Sequence, residues 1–199
     1  METMTSRERF ARMYAHKEAD RVPITDIPWQ GTISRWRREG MPAGADWREY
    51  FGVDKVEGIS VDISPRYPCT VVEDNARYQI VTSPWGVTMK QFKEEDSTPE
   101  FLDFKVCTPE AWEEAKARMA YSPDRIPWDY LRDAYPRWKA EGSWIQAGFW
   151  FGFDVTHSWM AGTETLLIAL LEEPEWVKDM FDTYLSRCIA CFDAVWDAG

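Results

Sequence analysis

Two acids and a histidine have spacing that could do chemistry. His157 follows Asp154 by three residues, and both come just after the apolar run Ser143–Trp150. A histidine beside an acid can act as acid, base or substrate contact, and its plainer use is a hydrogen-bonded loop residue. Asp62 sits near the end of the alternating run Gly58–Ile63. There it either meets a ligand or caps a neighbouring segment. Arg66 and Tyr67 follow closely and could hold an anionic substrate; a surface salt bridge is the alternative. Trp29, Trp150 and Trp159 could wall a flat pocket or fill a core. Cys188 and Cys191 have the CxxC spacing, but no second pair or histidine cluster accompanies them. In a helical pattern they read as two small apolar residues rather than a redox or metal site. His16 and His157 are far apart in the chain with no cysteine beside either, which gives no basis for a zinc site. Arg35, Arg37 and Arg38 crowd one helical turn, the usual pattern of a solvated face.

The elements that must position these residues alternate in type. Thr5 and Glu8 make a capping box for a helix carrying Phe10, Met13 and Tyr14. Val22–Ile27 reads as a strand, Thr32–Glu39 as a basic helix stopped by Gly40, and Asp46–Gly52 as a short helix. Gly58–Ile63 reads as a strand. Val71–Glu73 and Tyr78–Val81 flank turn chemistry and form a hairpin, with a further strand at Gly86–Phe92. Glu94–Pro99 is loop-like. Thr108-Pro109-Glu110 starts a helix that runs to about Met119. Another helix covers Trp128–Ala140, with Pro136 expected to bend or interrupt it. Ser143–Trp150 is a buried strand, followed by helices at Thr163–Leu171 and from Glu175 to Trp196. Strands alternating with helices suggest a parallel α/β sheet or barrel, with one domain over residues 1–199. Three core strands are fewer than the eight that a closed barrel needs. The ending Asp197-Ala198-Gly199 falls where the next strand is expected, so the sequence looks like the first half of a barrel.

Composition narrows the classes. The chain has 199 residues, 45% hydrophobic and 29% charged, enough for a real core. Its formal charge of −11 disfavours nucleic acid and anionic membranes as partners. No apolar run approaches a bilayer span, and the polar start Met1–Glu8 lacks a signal-peptide core, so the expected location is cytoplasmic. Twelve tryptophans are unusually many, and they leave a non-catalytic, sugar-binding module open as a rival.

Several stretches resemble one family. Thr5-Ser6-Arg7-Glu8-Arg9-Phe10 followed by Asp20-Arg21-Val22-Pro23 resembles the opening of the uroporphyrinogen decarboxylase family. Gly148-Phe149 leading to Trp159-Met160-Ala161-Gly162 resembles its middle, and Val61-Asp62-Ile63 resembles the strand end carrying its aspartate. The resemblance implies the N-terminal portion of a (β/α) barrel with an N-terminal helical cap and a β-hairpin insertion. It also implies one of two chemistries. One is decarboxylation of porphyrinogen acetate arms, with Asp62 steadying the protonated pyrrole. The other is methyl transfer linked to a corrinoid protein and a zinc-bound thiol. The decarboxylases' Arg-Gln-Ala-Gly-Arg segment is matched here by Pro28-Trp29-Gln30-Gly31-Thr32, without either arginine, and their tyrosine by Trp159. These departures favour a divergent, methyltransferase-like member. On this reading Asp62 and His157 are catalytic, and Trp29, Arg66, Tyr67, Asp154 and Trp159 bind a small molecule or tetrapyrrole. This segment binds no cofactor itself, zinc ligands are expected beyond residue 199, and a second copy could pair with the half-barrel.

Overall fold

The structure is a computed structural model describing residues 3–94 and 97–198. Its elements, in chain order, begin with α1 (Ser6–Tyr14), α2 (Gln30–Arg38), α3 (Trp47–Phe51) and β1 (Val56–Ile59). Strands β2 (Val71–Asp74), β3 (Tyr78–Thr82), β4 (Val87–Phe92) and β5 (Glu100–Phe104) follow. Then come α4 (Pro109–Arg118), a 3-10 turn (Pro123–Arg125), α5 (Trp128–Ala140) and β6 (Trp144–Ala147). The chain continues through α6 (Phe153–Val155), a π-helical turn (Thr156–Met160), α7 (Thr163–Glu172) and α8 (Pro174–Asp197). This is a mixed α/β chain with two small sheets. It divides into two compact units, Met1–Ser60 with Pro127–Gly148, and Val61–Ile126 with Phe149–Gly199. Among the described residues no helix is long and apolar enough to cross a membrane.

The first unit holds the parallel pair β1–β6, in register from Val56 opposite Trp144 to Ile59 opposite Ala147. The expected capping box forms. Thr5 accepts from the Glu8 amide, and the Glu8 carboxylate returns a bond to the Thr5 amide. Phe10 and Tyr14 of α1 stack on Trp144 at 5.3 and 5.4 Å. Asp46 caps α3, and Gly52 ends it in the left-handed region. Val22–Ile27 is not a strand, which corrects the sequence reading. Pro23 has no N–H, and Ile24 is bound by Asp54 instead of by a neighbouring strand. Its amide donates to the Asp54 carboxylate at 2.8 Å and its carbonyl accepts the Asp54 amide at 2.9 Å. Pro136 does not interrupt α5. The carbonyl it leaves without a donor is that of Arg132, four residues back, and both residues are exposed, so water can satisfy it.

Asp54 also anchors a buried charge cluster. It accepts from Arg9, from Arg21 at 2.6 Å and from Ser6 at 3.1 Å. Arg9 reaches Asp20 at 2.7 and 2.8 Å and the Met4 carbonyl at 2.7 Å. Arg9 and Asp54 are each 3% exposed. Arg9, Asp20 and Arg21 therefore hold this part of the chain together.

The second unit contains an antiparallel meander in the order β2-β3-β4-β5. The expected hairpin is its first turn, where Asn75 accepts from the Arg77 and Tyr78 amides. β5 adds a fourth strand that the sequence reading lacked. The loop-like segment Glu94–Pro99 includes residues 95 and 96, which lie outside the described residues. Helices α4, α7 and α8 build the core of this unit around Trp112, Met119, Met160, Leu166, Met180 and Tyr184. Thr108 caps α4 and Pro109 occupies its first turn, as expected.

Candidate functional site

The sequence-derived candidates of the second unit fall into two clusters. Among the described residues no hydrogen bond or ion pair joins Asp62 to Asp154 or His157.

The first cluster follows β1. That strand ends at Ile59, so Asp62 lies three residues past its end rather than within an extended run to Ile63. Asp62 closes a local turn. One carboxylate oxygen accepts from the Ser64 amide at 2.9 Å and the Ser64 hydroxyl at 2.6 Å. The other accepts from Arg66 Nε at 2.6 Å. Burial works to raise the Asp62 pKa, but the bonds from Ser64 and Arg66 outweigh it and hold the carboxyl below its ordinary range. Arg66 also pairs with Asp124. Beneath them Arg125 is buried and donates to the carbonyls of Ala120, Asp62, Ser64 and Arg118 at 2.6 to 2.9 Å. Burial, then the charge of Arg66, lowers its pKa. Sequence reading missed Arg125, a lone arginine with no motif. Tyr67 is buried rather than surface-facing. Its ring lies under Lys105 at 4.4 Å and Arg118 at 4.8 Å, and burial raises its pKa.

The second cluster lies on the segment after β6. Val155, Thr156 and Met160 are fully enclosed and anchor the inner side of a π-helical turn. The Ala161 amide bonds the Thr156 carbonyl at 2.8 Å, five residues back, and the Thr156 hydroxyl bonds the Gly152 carbonyl at 2.7 Å. Such turns are frequent at functional sites. This one leaves His157, Ser158 and Trp159 only partly covered. His157 Nε2 lies 3.4 Å from Asp154 Oδ1, and Nδ1 lies 3.2 Å from Thr163 Oγ1. The Trp150 indole N–H donates to Asp154 Oδ2. Phe153 packs against the His157 ring with centroids 5.1 Å apart and planes tilted by 31°. Trp150, 41% exposed, meets Trp159 edge-on at 5.5 Å and Trp85 at 6.5 Å. Thr163 was not among the sequence candidates. The signal for it is a hydroxyl residue opening a helix directly after a glycine.

Trp29 belongs to the first unit. It precedes α2, makes no side-chain cap there, and is 55% exposed. In the same unit Arg35 pairs with Glu39 at 2.7 Å along the helix, as a solvated face would. Cys188 and Cys191 are free and buried in α8, and burial pushes the Cys188 thiol up to about 11. No group of three or more histidine, cysteine, aspartate or glutamate side chains is placed to hold a metal among the described residues.

Comparison with known proteins finds no matching family model, no matching curated protein and no matching solved structure.

Proposed function

We propose that this chain is an enzyme of the uroporphyrinogen decarboxylase type, a divergent member on the methyl-transfer side. Its ligand lies against the Trp150–Trp159 wall beside His157. The observation that carries the reading is the charge pairing after β1. Decarboxylating a porphyrinogen takes free cations for the substrate's carboxylates and an unengaged carboxylate for the protonated ring. Asp62 and Arg66 are bonded to each other, Arg66 also to Asp124, and Arg125 to four carbonyls. A ligand poor in carboxylates suits that arrangement better. An exposed tryptophan edge beside a histidine offers a flat apolar wall with one polar handle. The parallel pair β1–β6, with α5 leading into β6, supports reading the first unit as part of a (β/α) barrel. The zinc that methyl transfer implies finds no group of three donor side chains among the described residues, so no step is routed through it.

The test is equilibrium dialysis of the full chain against hydroxocobalamin and against uroporphyrin, with uroporphyrinogen turnover measured in parallel. Saturable cobalamin binding that weakens at least tenfold in Trp150→Ala, roughly the loss of one aromatic contact, supports the proposal. Formation of coproporphyrinogen would instead establish decarboxylation. Retention on an oligosaccharide gel without cobalamin binding would establish a binding module.

A further inference from the structure

We infer that Asp154, His157 and Thr163 form a proton relay that activates the Thr163 hydroxyl for acyl transfer from esters. The inference does not depend on the family reading above.

The relay rests on which atom meets which. A nucleophile, its base and the group that orients the base must occupy the two different nitrogens of one imidazole. Thr163 Oγ1 is on Nδ1 at 3.2 Å, and Asp154 Oδ1 is on Nε2 at 3.4 Å. With the ring proton on Nε2 and shared with Asp154, Nδ1 is free to accept from Thr163. Both distances are long for hydrogen bonds. Asp154 is held by its second oxygen through the Trp150 indole N–H, and the ring plane is held by Phe153. Asp154 and Trp150 are therefore positioning residues. Ser158 is the competing hydroxyl, 3.0 Å from Nε2 and 3.4 Å from Nδ1. Its nearer nitrogen is the one that Asp154 uses, so it does not complete a relay.

Thr163 is also placed to use its neighbours. It is exposed and is the first residue of the ten-residue helix α7. Gly162 precedes it at φ +84°, and no side chain caps the helix. The first-turn amides of α7 can therefore donate to a developing oxyanion. Trp150 and Phe153 are both exposed, which points to esters with an apolar acyl or leaving group.

In the step, the Thr163 oxygen bonds to the acyl carbon while its proton moves to His157 Nδ1. The bond from that carbon to the leaving oxygen breaks, and the leaving group takes the proton from Nδ1. Water then attacks the threonine ester and gives a proton to Nδ1. The carboxylic acid departs, and the threonine oxygen takes that proton back as its hydroxyl.

The experiment treats the full chain with p-nitrophenyl acetate, follows nitrophenolate release and maps acetylation by mass spectrometry. The expected result is an acetyl group on Thr163. Thr163→Val and His157→Gln should each lower release about 100-fold, the scale of lost base catalysis. Their combination should be no worse than either alone. Thr163→Ser should retain the adduct, and Ser158→Ala should react as the parent does. Circular dichroism confirms folding of each variant. An adduct on another residue, parental release from Thr163→Val, or loss of release in Ser158→Ala would overturn the relay.

Discussion

Two polar clusters in this molecule are satisfied to very different degrees. In the first unit, Arg9, Asp20, Arg21 and Asp54 are bonded to one another, and Arg9 and Asp54 are almost fully covered. In the second unit, Asp154, His157 and Thr163 are joined by longer contacts, and the Asp154 side chain is 65% exposed. A buried and fully satisfied charge has no capacity left for a ligand, and removing one partner strands the others. A loosely satisfied group at the surface contributes little to stability and stays free to react. Asp20 and Arg21 of the motif Asp20-Arg21-Val22-Pro23 belong to the first kind, so in this chain they hold structure rather than a ligand.

The largest test of this contrast is Asp54→Ala. It leaves Arg9 and Arg21 without their common partner and should lower stability by about 3–5 kcal/mol in denaturant melts. Arg125→Met in the second unit strands four carbonyls and should lower it by about 2–4 kcal/mol. Gly162→Ala should come next, at about 1–3 kcal/mol. Its φ is +84°, and an added Cβ would lie 2.9 Å from Phe104 Cδ2. Asp62→Asn should have the smallest effect, less than about 1 kcal/mol, because its pair with Arg66 is only partly covered, with Arg66 at 36% and Asp62 at 41% side-chain exposure. A large loss there would move Asp62 into the first class.

Acid titration probes the first cluster by another route. Hydrogen bonds from Arg9 hold the Asp20 carboxyl well below its ordinary range. Burial raises Asp54, but its bonds from Ile24, Arg21, Arg9 and Ser6 more than offset this and lower it. A carboxyl depressed in the folded state stabilises the fold at pH values above its unfolded pKa of about 3.9, and that stability is lost as pH falls through the folded value. Denaturant midpoints should therefore hold from pH 7 to about 5 and fall below about pH 4. Asp54→Asn should flatten the fall.

The local parts of this architecture were legible in the sequence. The Thr5–Glu8 box, the Thr108-Pro109 start, the Asn75 turn and the stop at Gly52 each act within a few residues, where one side chain decides the backbone. The parts decided at a distance were not. Val22–Ile27 has strand composition, yet Asp54, thirty residues beyond Ile24, takes its amide. Arg9 and Arg125 resemble any surface arginine until partners 45 and 63 positions away enclose them. Asp154 and His157 were legible as a pair. Thr163 was not, because its approach depends on a π-helical turn and a glycine corner that no simple periodicity encodes.

The cysteines lend the second unit a built-in clock. All four lie in that unit, Cys69 and Cys107 at the surface and Cys188 and Cys191 inside α8. An alkylating reagent should label Cys69 first, Cys107 more slowly because burial raises its thiol pKa, and Cys188 and Cys191 only when α8 lifts from its seat. The rate at which the third and fourth labels arrive then times the opening of this unit, with the first unit silent in the readout.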